Sequence, residues 1–160
     1  MASRPESSET VYRIVSREFP PFDGTGTYRF GSRWISPGSW VVHTAESYSL
    51  AVLENLVHWQ SSRLPPSLVC VKAAIPDAVR QEYLPQEDLP KAKQGDFTAF
   101  RAIGDDWYND AKAVALWVPS LVSPGEWNVL INQKHADFGR IKVSEPEKPH
   151  MDPRIFGSAR

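Results

Sequence analysis

The sequence predicts a compact single α+β domain with a mixed, largely antiparallel sheet and one main helix. About six short apolar stretches have the length of strands, and one long stretch without Gly or Pro has helical spacing. The strands do not alternate regularly with helices, which disfavours a doubly wound parallel sheet. The 160 residues suit one domain of ordinary size. We expect residues 1–10 to be a disordered lead-in and residues 11–160 to form the domain.

The first half of the chain predicts two strands and the main helix. "VYRIVS", beginning near Val11, alternates apolar and polar residues like a strand, and the proline- and glycine-bearing "FPPFDGTGT" predicts a loop. The Pro37-Gly38 pair suits the centre of a type II turn before the strand "SWVVHT". Thr44 is the expected N-cap of a helix from Glu46 to about Ser61, which should end before Pro65-Pro66. Its apolar stripe consists of Leu50, Leu53, Leu56 and Val57.

The second half predicts further strands with irregular connections. Strands are expected in "SLVCVKAAI", "AVALWVPS", "EWNVLINQKH" and "GRIKVSE". Residues 77–95 are polar and punctuated by proline, so we expect irregular structure with a short helix. The stretch "FTAFRAIGDDWYNDAKA" predicts a helix in pieces, broken at Gly104. The proline-bearing tail is expected to be irregular.

Composition excludes several function classes. Lys and Arg total 18 and Asp and Glu total 19, so the net charge of -1 gives no general argument for nucleic acid or membrane binding. The single cysteine, Cys70, lies in an apolar run and is expected to be buried, in a protein of a reducing compartment. The four histidines lack zinc-like spacing, and no signal peptide or membrane span is visible. We therefore expect a cytoplasmic protein without a metal.

Several polar residues lie in apolar surroundings and are candidates for a site. Each also has a structural interpretation: Arg13 on the solvent face of a strand, Glu54 paired with His58, Ser120 capping a turn, and the asparagines bonding turn backbone. Taken together, they supply what an anionic nucleotide needs, namely cations for phosphates, amides and hydroxyls for sugars, and one carboxylate. The set consists of Arg13, Arg33, His43, Glu54, Ser120, Asn128 and Asn132.

The order of several separated blocks resembles the RES-domain family. These blocks are "YRI", "GSRWISPG", "VVHTAESYSLAVLE", "IGDDW", "LWVPSLVSPGEWNVLINQKHADF" and "DPRIF", from about Tyr12 to Phe156. The resemblance implies an ADP-ribosyltransferase-like fold and a toxin of a bacterial toxin–antitoxin pair that consumes NAD as its substrate. It also implies a partner, an Xre-class antitoxin that covers the active site.

The resemblance assigns roles residue by residue. Arg13, Arg33, Glu54 and Ser120 occupy the positions of the family's two arginines, its glutamate and its serine. Glu54 would stabilise positive charge on the ribose, Arg13 and Arg33 would clamp the pyrophosphate or the ribose–phosphate side, and Ser120 would bond the nicotinamide amide or a phosphate. His43 would contact nicotinamide or its ribose, with Tyr48 and Asn132 as further NAD-binding candidates.

The chain departs from the family pattern at a few positions. His43 stands where a tyrosine is common, Gln133 where a proline is common, and Ser32 and Ile35 flank Arg33-Trp34 in place of the usual glycine and asparagine. His43 resembles the histidine found early in the motif of some protein-modifying ADP-ribosyltransferases, and this resemblance favours transfer of ADP-ribose to a cellular protein. The alternatives are an NAD glycohydrolase or phosphorylase that depletes NAD, and a non-catalytic module that binds a nucleotide or a partner. No direct nucleic acid binding is expected.

Overall fold

The computed structural model describes residues 9–58 and 67–156, and in this part of the chain seven strands form one sheet. The strands are β1 (Glu9–Ser16), β2 (Val41–Ala45), β3 (Leu68–Ile75), β4 (Gln81–Tyr83), β5 (Ala115–Pro119), β6 (Trp127–Asn132) and β7 (Lys142–Val143). Their order is β4-β5-β6-β2-β1-β3-β7, and every neighbouring pair is antiparallel except β4–β5. The predicted α+β class with a mixed, largely antiparallel sheet is confirmed.

Three α-helices lie within the described residues: α1 (Thr25–Phe30), α2 (Tyr48–Leu56) and α3 (Thr98–Asp110). Short 3-10 turns occupy Gln86–Asp88, Phe138–Arg140 and Pro153–Phe156. None of the helices in the described ranges is long and apolar enough to cross a membrane.

The two faces of the sheet carry different parts of the core, because successive strand residues point to opposite faces. Val42 and its partner Ile131 belong to the cluster on one face. On the other face, Leu130 packs in a cluster with α3 residues, and Ile14 packs in a separate cluster with α2 residues. The space between these last two clusters is where the candidate site lies.

The helix predicted as the main one is α2, which begins later than predicted and is shorter than α3. Thr44 is not the N-cap; it belongs to β2, and its buried hydroxyl donates to the Val129 carbonyl at 2.9 Å. Ser47 is the N-cap, and its hydroxyl accepts from the Leu50 N–H at 3.1 Å. The helix ends at Leu56, and the last predicted helical residues, 59–61, lie outside the described residues.

Other predicted boundaries changed in smaller ways. The predicted break at Gly104 is wrong, since α3 continues through it. A Cβ at Gly104 would lie 1.9 Å from the Trp34 carbonyl oxygen, so this glycine permits close packing rather than a break. The three-residue strand β4 was not predicted within residues 77–95. Strand β1 begins at Glu9, two residues early, while residues 1–8 of the predicted lead-in lie outside the described residues.

The other predicted strands are present, although β6 ends at Asn132 and the last strand is only Lys142–Val143. Gly38 has a φ of 106°, as the second central residue of the predicted turn requires. Cys70 is buried in β3 as expected, and burial raises the pKa of its thiol. That shift leaves Cys70 a poor nucleophile and agrees with a packing role.

Candidate active site

A pocket of about 640 Å³ opens between α2 and the turn that carries Arg33, with residues of β1 and β2 in its wall. This volume lies within the usual range for small-molecule and cofactor sites. Its charged and polar lining includes Arg13, Arg33, His43, Glu54, Arg101 and Asn128. The pocket therefore contains three cations and one carboxylate that come from separate parts of the chain.

The Glu54 carboxylate is contributed by α2 and is contacted from the end of β5. The Ser120 hydroxyl lies 3.4 Å from Glu54 Oε1 and also accepts the N–H groups of Val122 and Ser123, at 3.2 and 3.0 Å. Ser120 is buried and does not line the pocket. Its predicted turn-capping role is confirmed, and it contacts the Glu54 carboxylate from outside the pocket lining.

Arg13 lies where two strands separate. β1 and β2 pair only at Tyr12 and Ala45, so the ladder stops before His43. The Arg13 side chain takes the place of the missing ladder, because its Nη1 donates to the His43 carbonyl at 2.9 Å and its Nε to the Pro21 carbonyl at 3.0 Å. Burial lowers the pKa of Arg13 to about 10, against the opposing effect of Asp23, and Arg13 stays charged at neutral pH.

Asp23 is the counter-charge of Arg13 and is held in place by hydrogen bonds. Gln133 Nε2 donates to Asp23 Oδ2 at 3.2 Å, Gln133 Oε1 accepts the Gly24 N–H at 2.7 Å, and Thr25 bonds Asp23 through both its N–H and its hydroxyl. Burial alone would raise the pKa of Asp23, but these hydrogen bonds and the Arg13 charge lower it below its ordinary value. Gln133, a departure from the family pattern, thus ties the end of β6 to the segment before α1.

His43 contributes a neutral ring to the pocket. Burial, followed by the nearby charge of Arg13, lowers the pKa of His43 to about 4. Its Nε2 atom is buried and has no hydrogen-bond partner within the described parts of the chain. A buried polar atom without a partner is uncommon, and in a pocket wall it is suited to bonding a ligand.

Arg33 lies on a turn, residues 32–36, that is fastened to α3; we refer to it as the Arg33 turn. The Ser32 hydroxyl accepts the N–H groups of Trp34 and Ile35, both at 3.2 Å, so this departure from glycine stabilises the turn from within. Asp105 of α3 accepts both the N–H and the hydroxyl of Ser36, at 2.9 and 2.5 Å.

Helix α3 contributes an arginine to the same turn, in addition to Asp105. Arg101 Nε donates to the Ser32 carbonyl at 2.9 Å. The Arg33 guanidinium carbon lies 4.9 Å from the Phe97 ring centroid and 5.6 Å from that of Phe100. Gly104 allows α3 to approach the Trp34 carbonyl closely enough for these contacts.

Besides Ser120, two more residues expected to bind NAD do not line the pocket. The Tyr48 hydroxyl donates to the His150 carbonyl at 2.5 Å, and its ring packs edge-on against Tyr12. Asn132 is buried and accepts the Lys134 N–H at 2.9 Å. Asn132 lies four residues beyond Asn128 on β6, roughly 13 Å further along the strand. Asn128, and not Asn132, lines the pocket.

Arg101 was missed by sequence reasoning. Its only signal was a cation among the aromatic residues of "FTAFRA". The sequence does not show which face of α3 meets the Arg33 turn, so Arg101 and Phe97 could not be placed at the site. In residues 9–58 and 67–156, no group of three or more His, Cys, Asp or Glu side chains is arranged to hold a metal ion.

Comparison with known proteins identifies the family of proteins that has this fold. A chain of the crystal structure of the M. tuberculosis MbcT–MbcA toxin–antitoxin complex has the same fold, with a TM-score of 0.73 and 18% identity over 94% of this chain and 88% of that chain. The RES domain model matches residues 10–152. The chain belongs to the RES domain family, which confirms the resemblance found in the sequence.

Curated relatives agree with this membership. The chain is 33% identical over 146 residues to "Prs ADP-ribosylating toxin" of Sphingobium sp. (strain YBL2), covering 89% of this chain and 91% of the relative. It is 33% identical over 150 residues to "Toxin Res" of Yersinia enterocolitica, covering 91% and 98%. A "Toxin Res" of Pseudomonas putida is 31% identical over 148 residues, covering 91% and 99%.

Proposed function

We propose that this chain is a toxin that cleaves the nicotinamide–ribose bond of NAD and transfers ADP-ribose, preferentially to a cellular protein. The observation that carries the proposal is the convergence of Glu54, Arg13, Arg33 and His43 on one pocket of about 640 Å³. A relative named as an ADP-ribosylating toxin, matched over 89% of this chain, supports the reaction class.

The reaction calls for a fixed negative charge. The bond between ribose C1′ and the nicotinamide nitrogen breaks, and its electron pair stays on the ring, which loses its positive charge. C1′ then bonds a nucleophile of the acceptor, whose proton passes to solvent. Positive charge grows on the ribose during this exchange, as in glycoside hydrolysis, and a preorganised carboxylate stabilises it. Glu54 is the carboxylate of the pocket, and we assign it this role.

Ser120 has a different role from the one expected. The Ser120 hydroxyl contacts the Glu54 carboxylate, accepts two backbone N–H groups and does not line the pocket. We therefore assign Ser120 to positioning the carboxylate rather than to contacting nicotinamide. His43 is neutral at physiological pH, and we assign its buried Nε2, which has no hydrogen-bond partner among the described residues, to a nicotinamide amide or a ribose hydroxyl.

Hydrolysis or phosphorolysis of NAD is the alternative reaction, and a non-catalytic nucleotide- or partner-binding module is the remaining alternative. We propose an antitoxin of the Xre class as the partner that covers the pocket, supported by the same fold in a toxin–antitoxin complex. The site of action in this proposal is the cytoplasm, without metal, nucleic acid or membrane.

Expression in bacteria without an antitoxin tests the function. We expect the wild-type chain to arrest growth and Glu54→Gln to permit it, while Glu87→Gln, at an exposed position outside the pocket lining, should still arrest growth. Arrest by a folded Glu54→Gln protein would contradict the assignment. NAD carrying a labelled adenine, added to lysate, then separates the reactions: label on a discrete protein band supports transfer, and free labelled ADP-ribose supports hydrolysis.

A further inference from the structure

Two pocket arginines share one aromatic ring. The guanidinium carbons of Arg33 and Arg101 lie 4.9 and 5.6 Å from the ring centroid of Phe97, and all three residues line the pocket. A ring placed this way attracts both cations and so offsets part of their mutual repulsion. The pair forms a concentrated positive charge at one side of the pocket.

Neither guanidinium is neutralised within the described parts of the chain. No Asp or Glu oxygen of residues 9–58 and 67–156 forms an ion pair with Arg33 or Arg101 within 4.0 Å. Asp105, one helical turn after Arg101, instead accepts the N–H and hydroxyl of Ser36. Two neighbouring guanidiniums without a carboxylate are suited to an anionic ligand.

Their hydrogen-bond donors are also available. Arg101 uses only Nε, toward the Ser32 carbonyl, and the Arg33 guanidinium bonds no atom of the described residues. Arg13, by contrast, already donates through Nε and Nη1 to backbone carbonyls and has Asp23 as its counter-charge. The charge of Arg13 is therefore offset by Asp23, and Arg13 has fewer free donors for a phosphate than Arg101 has.

We propose that Arg33 and Arg101 together bind the pyrophosphate of the dinucleotide substrate, while Arg13 holds the pocket wall at the β1–β2 gap. This inference rests on the proposed function, and it replaces the expected clamp of Arg13 and Arg33. Two guanidiniums beside one ring match the two negative charges of a pyrophosphate, and each can offer a fork of donors to one phosphate.

Binding of ADP by titration calorimetry tests the proposal, with adenosine as the probe that lacks phosphates. Arg101→Gln removes the charge and keeps an amide that can donate to the Ser32 carbonyl. We expect this change and Arg33→Ala each to weaken ADP binding about tenfold or more, with adenosine binding unchanged. Arg29→Ala, an exposed arginine of α1 outside the pocket lining, controls for net charge and should bind ADP like the wild type.

The double variant separates direct binding from support of the Arg33 turn. If Arg101 contacts a phosphate itself, Arg101→Gln weakens ADP binding further in the Arg33→Ala background, although the two fold-changes need not multiply because the two arginines share a ring and a ligand. If it acts only through the turn, the second change has no further effect, which overturns the proposal. Wild-type ADP affinity in Arg101→Gln also overturns it, even where the wild type cleaves NAD. A wild-type chain that binds no ADP and cleaves no NAD refutes the proposed function itself.

Discussion

The protonation of His43 should make the protein less stable in mild acid. In the folded protein the pKa of His43 is about 4, while an unfolded histidine titrates near 6.5. The folded state thus binds fewer protons between these values, so stability falls as pH drops from about 6.5 to about 4. For one group with these two pKa values, the loss between pH 7 and pH 5 is about 2 kcal/mol.

Chemical denaturation at pH 7, 6 and 5 measures this loss, with His43→Gln as the comparison. Glutamine keeps a polar side chain but does not titrate, so other acid-sensitive groups such as Asp23 contribute equally to both proteins. We expect the wild type to lose about 2 kcal/mol more than His43→Gln over this range. Parallel stability curves would refute the burial of a neutral His43 beside Arg13.

Three further predictions concern the supports of the site. Gly104→Ala should lower the free energy of unfolding by about 3 kcal/mol or more in urea denaturation, because its Cβ would lie 1.9 Å from a backbone carbonyl oxygen. Gly26→Ala is the control: it has open space around its Cβ and should change stability by no more than about 1 kcal/mol. Asp105→Ala should raise the KM for NAD several-fold, because it releases the Arg33 turn from α3. The control Asp106→Ala, at an exposed neighbouring position, should leave the KM unchanged. An unchanged KM in Asp105→Ala would contradict the role of Asp105. Ser120→Ala should lower kcat about tenfold with little change in KM, since it loosens Glu54; equal kcat values would refute this positioning.

The fold class and most strands were predictable because their signals are local. Strands such as β3 and β5 are apolar runs with clear ends, and periodicity identifies them without knowledge of their neighbours. β4 was missed because its three residues are partly exposed and become a strand only by pairing with β5. Gly104 was misjudged because propensity alone marks a glycine as a break, whereas here tertiary packing requires it.

The candidate site was partly predictable for the same reason. The family pattern located Arg13, Arg33, His43 and Glu54, which the structure brings to one pocket. It did not reveal that Arg13 is committed to backbone carbonyls, since that depends on where β1 and β2 separate. Nor did it reveal Arg101, which reaches the pocket only because α3 packs against the Arg33 turn.

The most direct test is the release of nicotinamide from NAD by the purified protein. The pocket geometry predicts release by the wild type and a rate lower by about a hundredfold or more in Glu54→Gln, provided that both proteins unfold at the same temperature. Intact NAD after incubation with the wild type, or equal rates for the two proteins, would contradict NAD cleavage at Glu54.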